Sequence, residues 1–315
     1  MSTARPEIKT TIRTFEQMRK RAQELGPKRV GVVLAEDDVA LTAAAEAMRA
    51  NIATPVLIGE EKGIRARAEK LGFDDLVQKA EYASCGNDPQ EAGELAVKLA
   101  REGKIEILLK GHLRTDQLLH PVLDKEKGLR TGNLLCDVAF FEHTDDAGTR
   151  LVGLTDGGMT PAPNLKQKRQ IVLSAIEVLG ALGVTKPKIA ILSAVEVVSE
   201  AIPSTVDAKA LTEMCEAGEF GDAQVFGPLA LDIAMVEWCA KVKGITHPVA
   251  GHADCLVMPT IEAGNIAAKV IHILYGHEYG HLVVGAKAPI LIPSRSEPAN
   301  NKINAMALGV IYAGR

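Results

Sequence analysis

The sequence predicts an α/β protein of two domains, on three observations. Apolar runs alternate with amphipathic stretches along most of the chain, the pattern of right-handed βαβ units and a mainly parallel sheet. The chain has 315 residues, about twice a typical domain. The alternation breaks once, near residue 134, at a sequence that reads as a hairpin.

The first 25 residues read as a helix, because Ile12, Phe15, Met18, Ala22 and Leu25 recur at helical spacing. Val30–Leu34, Pro55–Ile58 and Ile105–Leu109 read as buried strands. Asp37-Asp38 precedes an Ala-rich helix, and Asp88-Pro89 sets a cap before a proline at the first helical position. Leu134–Glu142 and Arg150–Leu154 form the hairpin, joined by Asp145-Asp146-Ala147-Gly148. Beyond it, helices over Leu165–Leu182, from Ala208, over Leu231–Val242 and over Glu262–Tyr275 precede strands at Lys188–Leu192, Gln224–Phe226, Cys255–Met258 and His281–Val284. The last strand is Pro289–Ile292 and the last helix runs from Asn301 to Tyr312. No repeat or low-complexity linker separates the halves, which predicts close packing with a cleft between them.

Composition narrows the function. Apolar residues make up 47% and aromatics only 3%, so the core is built from Ala, Val, Ile and Leu. A net charge of −4 excludes a strongly basic nucleic-acid module, yet leaves phosphorylated small molecules open, since these need only a few placed cations. The five cysteines are scattered, with no CxxC pair, and read as buried thiols in a reducing compartment. The polar start at Met1–Lys9 has no apolar signal segment, and no run approaches about 20 apolar residues. A cytoplasmic location follows as the expectation.

His277-Glu278-Tyr279-Gly280-His281 fits the HExxH spacing of zinc peptidases, which needs both imidazoles on one helical face. Gly276 and Gly280 argue against a helix there, and His281 opens an apolar strand-like run, so the match reads as a helix-to-strand connection with no metal. No GxGxxG, GxxxxGK[ST] or GxSxG sequence occurs at a suitable place. The final junction, Pro289-Ile-Leu-Ile-Pro-Ser294-Arg295-Ser-Glu297-Pro-Ala-Asn-Asn301, is more informative. A loop that follows a strand and opens a helix offers backbone N–H groups to phosphate, and two hydroxyls with a guanidinium add donors. Simple helix capping with a solvated Arg295 explains those residues equally well. Lys110–Thr115, Thr155–Met159 and Pro248–Asp254 are further glycine-and-polar stretches at predicted strand ends, each either a tight turn or part of a phosphate-rich site.

Thr155-Asp-Gly-Gly-Met-Thr-Pro-Ala-Pro-Asn-Leu-Lys-Gln-Lys168 resembles the start of the second domain of the phosphate acetyl/butyryltransferases. Gly128–Gly132, Gly227–Asp232, Pro248–Gly251, Glu262–Asn265, Gly285–Pro289 and Ser294-Arg295 extend the resemblance in order from about residue 30 onward, closer to the butyryl branch. The resemblance implies two α/β domains of the isocitrate/isopropylmalate dehydrogenase type, a homodimer, and an active site in the interdomain cleft. Domain I would comprise residues 1–145 plus 292–315 and domain II residues 146–291. It implies transfer of a short-chain acyl group between coenzyme A and inorganic phosphate, with coenzyme A as substrate, no permanent cofactor, no metal, no nucleic acid and no membrane.

By the same resemblance, Ser294 would donate to the developing oxyanion and Arg295 would hold the phosphoryl group. The acetyl branch places an acidic base about seven positions after the serine, where this chain has Asn300-Asn301. An amide cannot accept the thiol proton, so Glu297 is the replacement base, with Asn301 kept in the candidate site. His120 stands where many relatives carry a phosphate-binding cation, with Arg114, Arg130 and Lys287 as further substrate-binding candidates. Three alternatives stay open: a non-catalytic acyl-CoA or acyl-phosphate binding protein that lost its base, an oxidoreductase on the same fold, and a zinc peptidase.

Overall fold

The computed structural model describes residues 10–294 and 297–315. The chain forms α1 (Phe15–Leu25), β1 (Lys28–Val33), α2 (Asp38–Arg49), β2 (Ala53–Gly59), α3 (Glu61–Lys70), α4 (Asp74–Lys79), β3 (Glu81–Ser84), α5 (Pro89–Arg101), β4 (Ile107–Lys110) and α6 (Thr115–Val122). It continues with β5 (Cys136–Asp145), β6 (Gly148–Thr155), α7 (Leu165–Ala181), β7 (Lys188–Leu192), α8 (Pro203–Glu216), β8 (Gln224–Leu229), α9 (Leu231–Met235), α10 (Glu237–Val242), β9 (Cys255–Val257) and α11 (Ile261–Lys269). A π-helical turn at Val270–Leu274 leads to β10 (Tyr279–Val284), β11 (Ile290–Leu291) and α12 (Ala299–Ala313). No described helix is long and apolar enough to cross a membrane.

Two compact units result. The flanking unit comprises Phe15–Asn133 and Tyr279–Arg315, and the middle unit comprises Leu134–Glu278 with residues 10–14. The flanking unit's strands lie in the order β3-β2-β1-β4-β11-β10, parallel except for the β10–β11 pair. Those of the middle unit lie in the order β5-β6-β9-β7-β8, parallel except for the β5–β6 hairpin.

The switch between units falls at residues 133/134 and 278/279, where the sequence suggested 145/146 and 291/292. The hairpin is the reason. Its ladder runs from Ala139↔Leu154 to Asp145↔Gly148, so a boundary in its turn would divide one antiparallel pair between two units. The return strand β10 belongs with its antiparallel partner β11 for the same reason.

Other differences are local. The first helix begins at Phe15, and the Ile12 N–H instead donates to Leu182 O at 2.9 Å. The stretch expected as one helix over Leu231–Val242 is two, because Val236 adopts extended φ and ψ. Three of the five thiols, Cys85, Cys215 and Cys239, are only half-buried. Asp37 and Asp88 cap α2 and α5, accepting the Ala40 and Glu91 N–H groups at 2.9 Å each.

Candidate functional site

The flanking unit gathers chemistry where β1, β4 and β11 end. Leu34 leaves β1 in the left-handed region, at φ 51°. Its carbonyl accepts the His112 N–H, and the Gly111 N–H donates to Val33 O. A Cβ at Gly111 would lie 2.4 Å from Leu34 O, so only glycine allows the two strand ends to approach this closely. That crossing delivers Asp37, Lys110 and Gly111 to a small pocket completed by Pro293, Ser294 and Lys302.

The polar groups of this pocket interlock. Asp37 uses one carboxylate oxygen to cap α2 and turns the other to His112 Nδ1, at 3.5 Å. Lys110 is buried and its Nζ donates to Leu113 O at 3.3 Å. Lys302, also buried, donates from Nζ to the Glu297 carbonyl oxygen. Burial pulls the Lys302 ammonium below the ordinary lysine range, while the nearby charges of Glu297 and Asp37 pull it back up. Two ammonium groups beside a hydroxyl make an anion-accepting corner.

Ser294 is exposed, and its backbone N–H donates to Glu297 Oε1 at 2.8 Å. Glu297 is buried, and its Oε2 has no hydrogen-bond partner among the described residues. A buried carboxylate oxygen with unused lone pairs is costly for the fold alone and suited to receiving a proton from a bound group. Arg295 lies outside the described residues.

Asn301 has a different task. It is buried on α12, where its Oδ1 accepts the Tyr279 N–H at 3.1 Å. One turn on, Asn304 Nδ2 donates to Tyr279 O at 3.4 Å, and Arg19 donates to Asn304 Oδ1 at 2.6 Å. The two amides grip both backbone polar groups of the first residue of β10, so Asn301 ties α12 to the sheet.

The cations expected at the site separate into three places. Arg130 and Lys287 are exposed and share one edge: Arg130 bridges Ala286, and the Lys287 N–H donates to Leu129 O at 2.8 Å. Thr131 Oγ1 adds a bond to Gly285 O, which joins the Gly128–Gly132 and Gly285–Pro289 stretches. Arg114 is exposed and spends its guanidinium on Asp116, at 3.1 and 3.2 Å. His120 lines a separate groove of about 1170 Å³ between α5 and α6, with Lys98, Arg101 and Lys127. It therefore joins neither the Ser294 pocket nor the Arg130 edge.

The sequence points to Lys110 only as part of the Lys110–Thr115 stretch and not to Lys302, although each carries a signal of its own. Lys110 closes an otherwise apolar strand, and Lys302 is the single charge in the α12 sequence. A lone buried cation in an apolar element needs an electrostatic reason to be there.

The remaining glycine-rich stretches are held by hydrogen bonds. Asp156 accepts the Gly158 and Met159 N–H groups at 2.9 Å on Oδ1 and the Thr160 N–H at 3.0 Å on Oδ2. Burial, reinforced by the charge of Asp137, raises the Asp156 carboxyl to about 6 despite those donors. Pro248–Asp254 enters β9 at its amino end, away from the carboxyl end where ligands bind in parallel sheets. There Asp254 Oδ2 accepts the Lys188 N–H at 2.8 Å. The HExxH stretch is not helical: Tyr279 to His281 lie within β10.

The chain is similar to known proteins along most of its length. Residues 87–310 match the family described as Phosphate acetyl/butaryl transferase. The chain is 37% identical over 305 residues to the phosphate butyryltransferase of Clostridium acetobutylicum, covering 96% of this chain and 99% of that one. It is 38% identical over 282 residues to the phosphate acetyltransferase of Rhizobium meliloti, covering 89% and 87% respectively. Among solved structures, a branched-chain phosphotransacylase from Enterococcus faecalis V583 superposes with a TM-score of 0.78 at 29% identity, covering 91% of this chain and 99% of that one.

Proposed function

Because the chain belongs to the phosphate acetyl/butyryl transferase family, we propose that it moves a short-chain acyl group reversibly between coenzyme A and inorganic phosphate, with Glu297 as the base. The observation that carries this reading is the Glu297 carboxylate, bound through Oε1 to the Ser294 backbone and, among the described residues, unpartnered at Oε2. A thiol has an ordinary pKa near 8.5 and must lose its proton to attack. In the proposed step, the proton passes to Glu297 Oε2 and the sulfur bonds to the carbonyl carbon of the acyl phosphate. The carbonyl electrons move to oxygen, where Ser294 donates. Collapse of that oxyanion breaks the carbon–phosphate-oxygen bond and releases phosphate.

Arg295, Lys110 and Lys302 would neutralise the phosphoryl group, with Arg130 and Lys287 holding a more distant part of the coenzyme. The separate groove at His120 leaves that residue as an outlying contact. The butyryl branch is the finer assignment, supported by the Clostridium relative. The isocitrate/isopropylmalate dehydrogenase type of fold is supported by a mainly parallel sheet with one antiparallel pair in each unit. Homodimer assembly and a cytoplasmic location complete the reading. The non-catalytic alternative rested on Asn300-Asn301 in place of an acid, and the structural bond of Asn301 to Tyr279 together with the nearby Glu297 weakens that motive.

The test is the loss of free thiol when the purified protein meets coenzyme A and a panel of acyl phosphates, with acyl-CoA plus phosphate run in reverse. Turnover with one member and its loss in Glu297→Gln supports the reading. Coenzyme A binding without turnover, in both directions and with every donor, would replace the transferase by a binding protein.

A further inference from the structure

His281 is buried on β10, a strand whose six residues are all buried. An imidazole in such a place needs a polar partner. Alternation along the strand puts Tyr279 and His281 on one face, with ring centroids 5.6 Å apart. Gly280 points the other way, where a Cβ would stand 2.8 Å from Asn304 Cβ and 3.2 Å from the Phe15 ring. Helices α12 and α1 thus close against β10 and leave the strand little room to shift. On the opposite face, His281 Nε2 lies 3.8 Å from Glu297 Oε1, with both side chains nearly excluded from solvent.

One oxygen of Glu297 therefore accepts the Ser294 N–H and stands beside the His281 ring, while the other has no hydrogen-bond partner among the described residues. We propose that His281 is a positioning residue for acyl transfer: it holds Glu297 from behind so that Oε2 is the oxygen left for the thiol, and its imidazolium form keeps the carboxylate ionised. This rests on the reading of Glu297 as base. Described charged and titratable groups stand beside the pair. Lys302 from α12 bonds the Glu297 carbonyl oxygen and is itself influenced by Asp37 and Lys110, and the Tyr279 phenol shares the strand face.

The experiment is the pH dependence of turnover for wild type and His281→Gln, read by thiol loss with coenzyme A and an acyl phosphate. Removing a cation from beside a carboxylate raises the carboxyl pKa, so the acidic limb of the kcat profile should move up by about one pH unit. The KM for coenzyme A should stay unchanged. An acidic limb that stays in place would overturn the proposal, because a purely structural histidine lowers kcat by the same factor at every pH. Should His281→Gln fail to fold, the imidazole titration of His281, followed by NMR in the full chain, gives the reciprocal test. Glu297→Gln should then lower the titration midpoint of His281 by about one pH unit, and an unmoved midpoint refutes the pairing. Wild-type turnover in Glu297→Gln would sink the base itself. An inactive Glu297→Gln alongside an unmoved His281→Gln limb would sink only the positioning role.

Discussion

Two buried carboxylates, one in each unit, follow strand ends and accept backbone N–H groups, yet they are built for opposite ends. Asp156, after β6, accepts three N–H groups with its two oxygens and folds its own turn. Glu297, after β11, accepts the Ser294 N–H and, among the described residues, keeps a buried oxygen without a hydrogen bond. The neighbours differ as well. Asp156 faces the like charge of Asp137, whereas Glu297 has Lys302 and His281 within reach. What separates a structural acid from a chemical one here is spare accepting capacity next to cations, since burial is common to both.

That contrast breaks most sharply by substituting each acid with its amide. Glu297→Gln should lower turnover by about 10³-fold, within the range expected for loss of a positioned base, while coenzyme A binding persists. A Glu297→Gln enzyme within a few-fold of wild type would return Glu297 to the structural class. Ser294→Ala comes next, with an expected loss of about 10²-fold in kcat, as for removal of one oxyanion donor, and little change in the thermal midpoint.

Asp156→Asn should act on stability instead, and the sign can be worked out. The folded-state carboxyl sits near 6, above its ordinary 3.8, so the folded protein binds the proton more tightly than the unfolded chain does. Stability is then greatest at low pH with respect to this group, falls as pH rises from about 4 to 6, and is flat beyond. The full difference is about 3 kcal/mol as an upper figure. Chemical denaturation across that pH range should show a slope in the wild type that flattens in Asp156→Asn. A stability that rises from pH 4 to 6 by the same amount in both proteins would contradict the assignment.

The two acids were not equally legible in the sequence, and the reason is locality. The Asp156 turn is written in five consecutive residues, and the caps at Asp37 and Asp88 are equally local. The strand at Lys188–Leu192 likewise carried its own apolar signal. In contrast, β3 has no fully buried residue and so offered no apolar run to read. The break between α9 and α10 falls at Val236, where neither proline nor glycine marks it. At the site, Ser294 and Glu297 could be nominated from one loop and a family resemblance. The roles of Lys110, Lys302 and His281 could not, because each depends on elements far apart in the chain meeting at the ends of β1, β4, β10 and β11. Asn301 was read through the acid it replaces, and its hold on Tyr279, 22 residues earlier, is a tertiary fact.

Asn301→Asp sharpens the comparison from the other side, by placing a third buried carboxylate close to Glu297 in sequence. If activity were limited by a missing acid at 301, the substitution would raise turnover. The structure argues otherwise. Oδ1 of residue 301 is already committed to the Tyr279 N–H, and the Nδ2 position it would convert to oxygen is buried with no partner among the described residues. The aspartate would keep the existing bond and add an uncompensated acceptor, at a cost of about 1–3 kcal/mol when neutral and more when charged. The expected result is a lower thermal midpoint with no gain in turnover. A rise in turnover would mean that an acid at 301 can reach the thiol, and that spare accepting capacity at Glu297 is not what makes this site chemical.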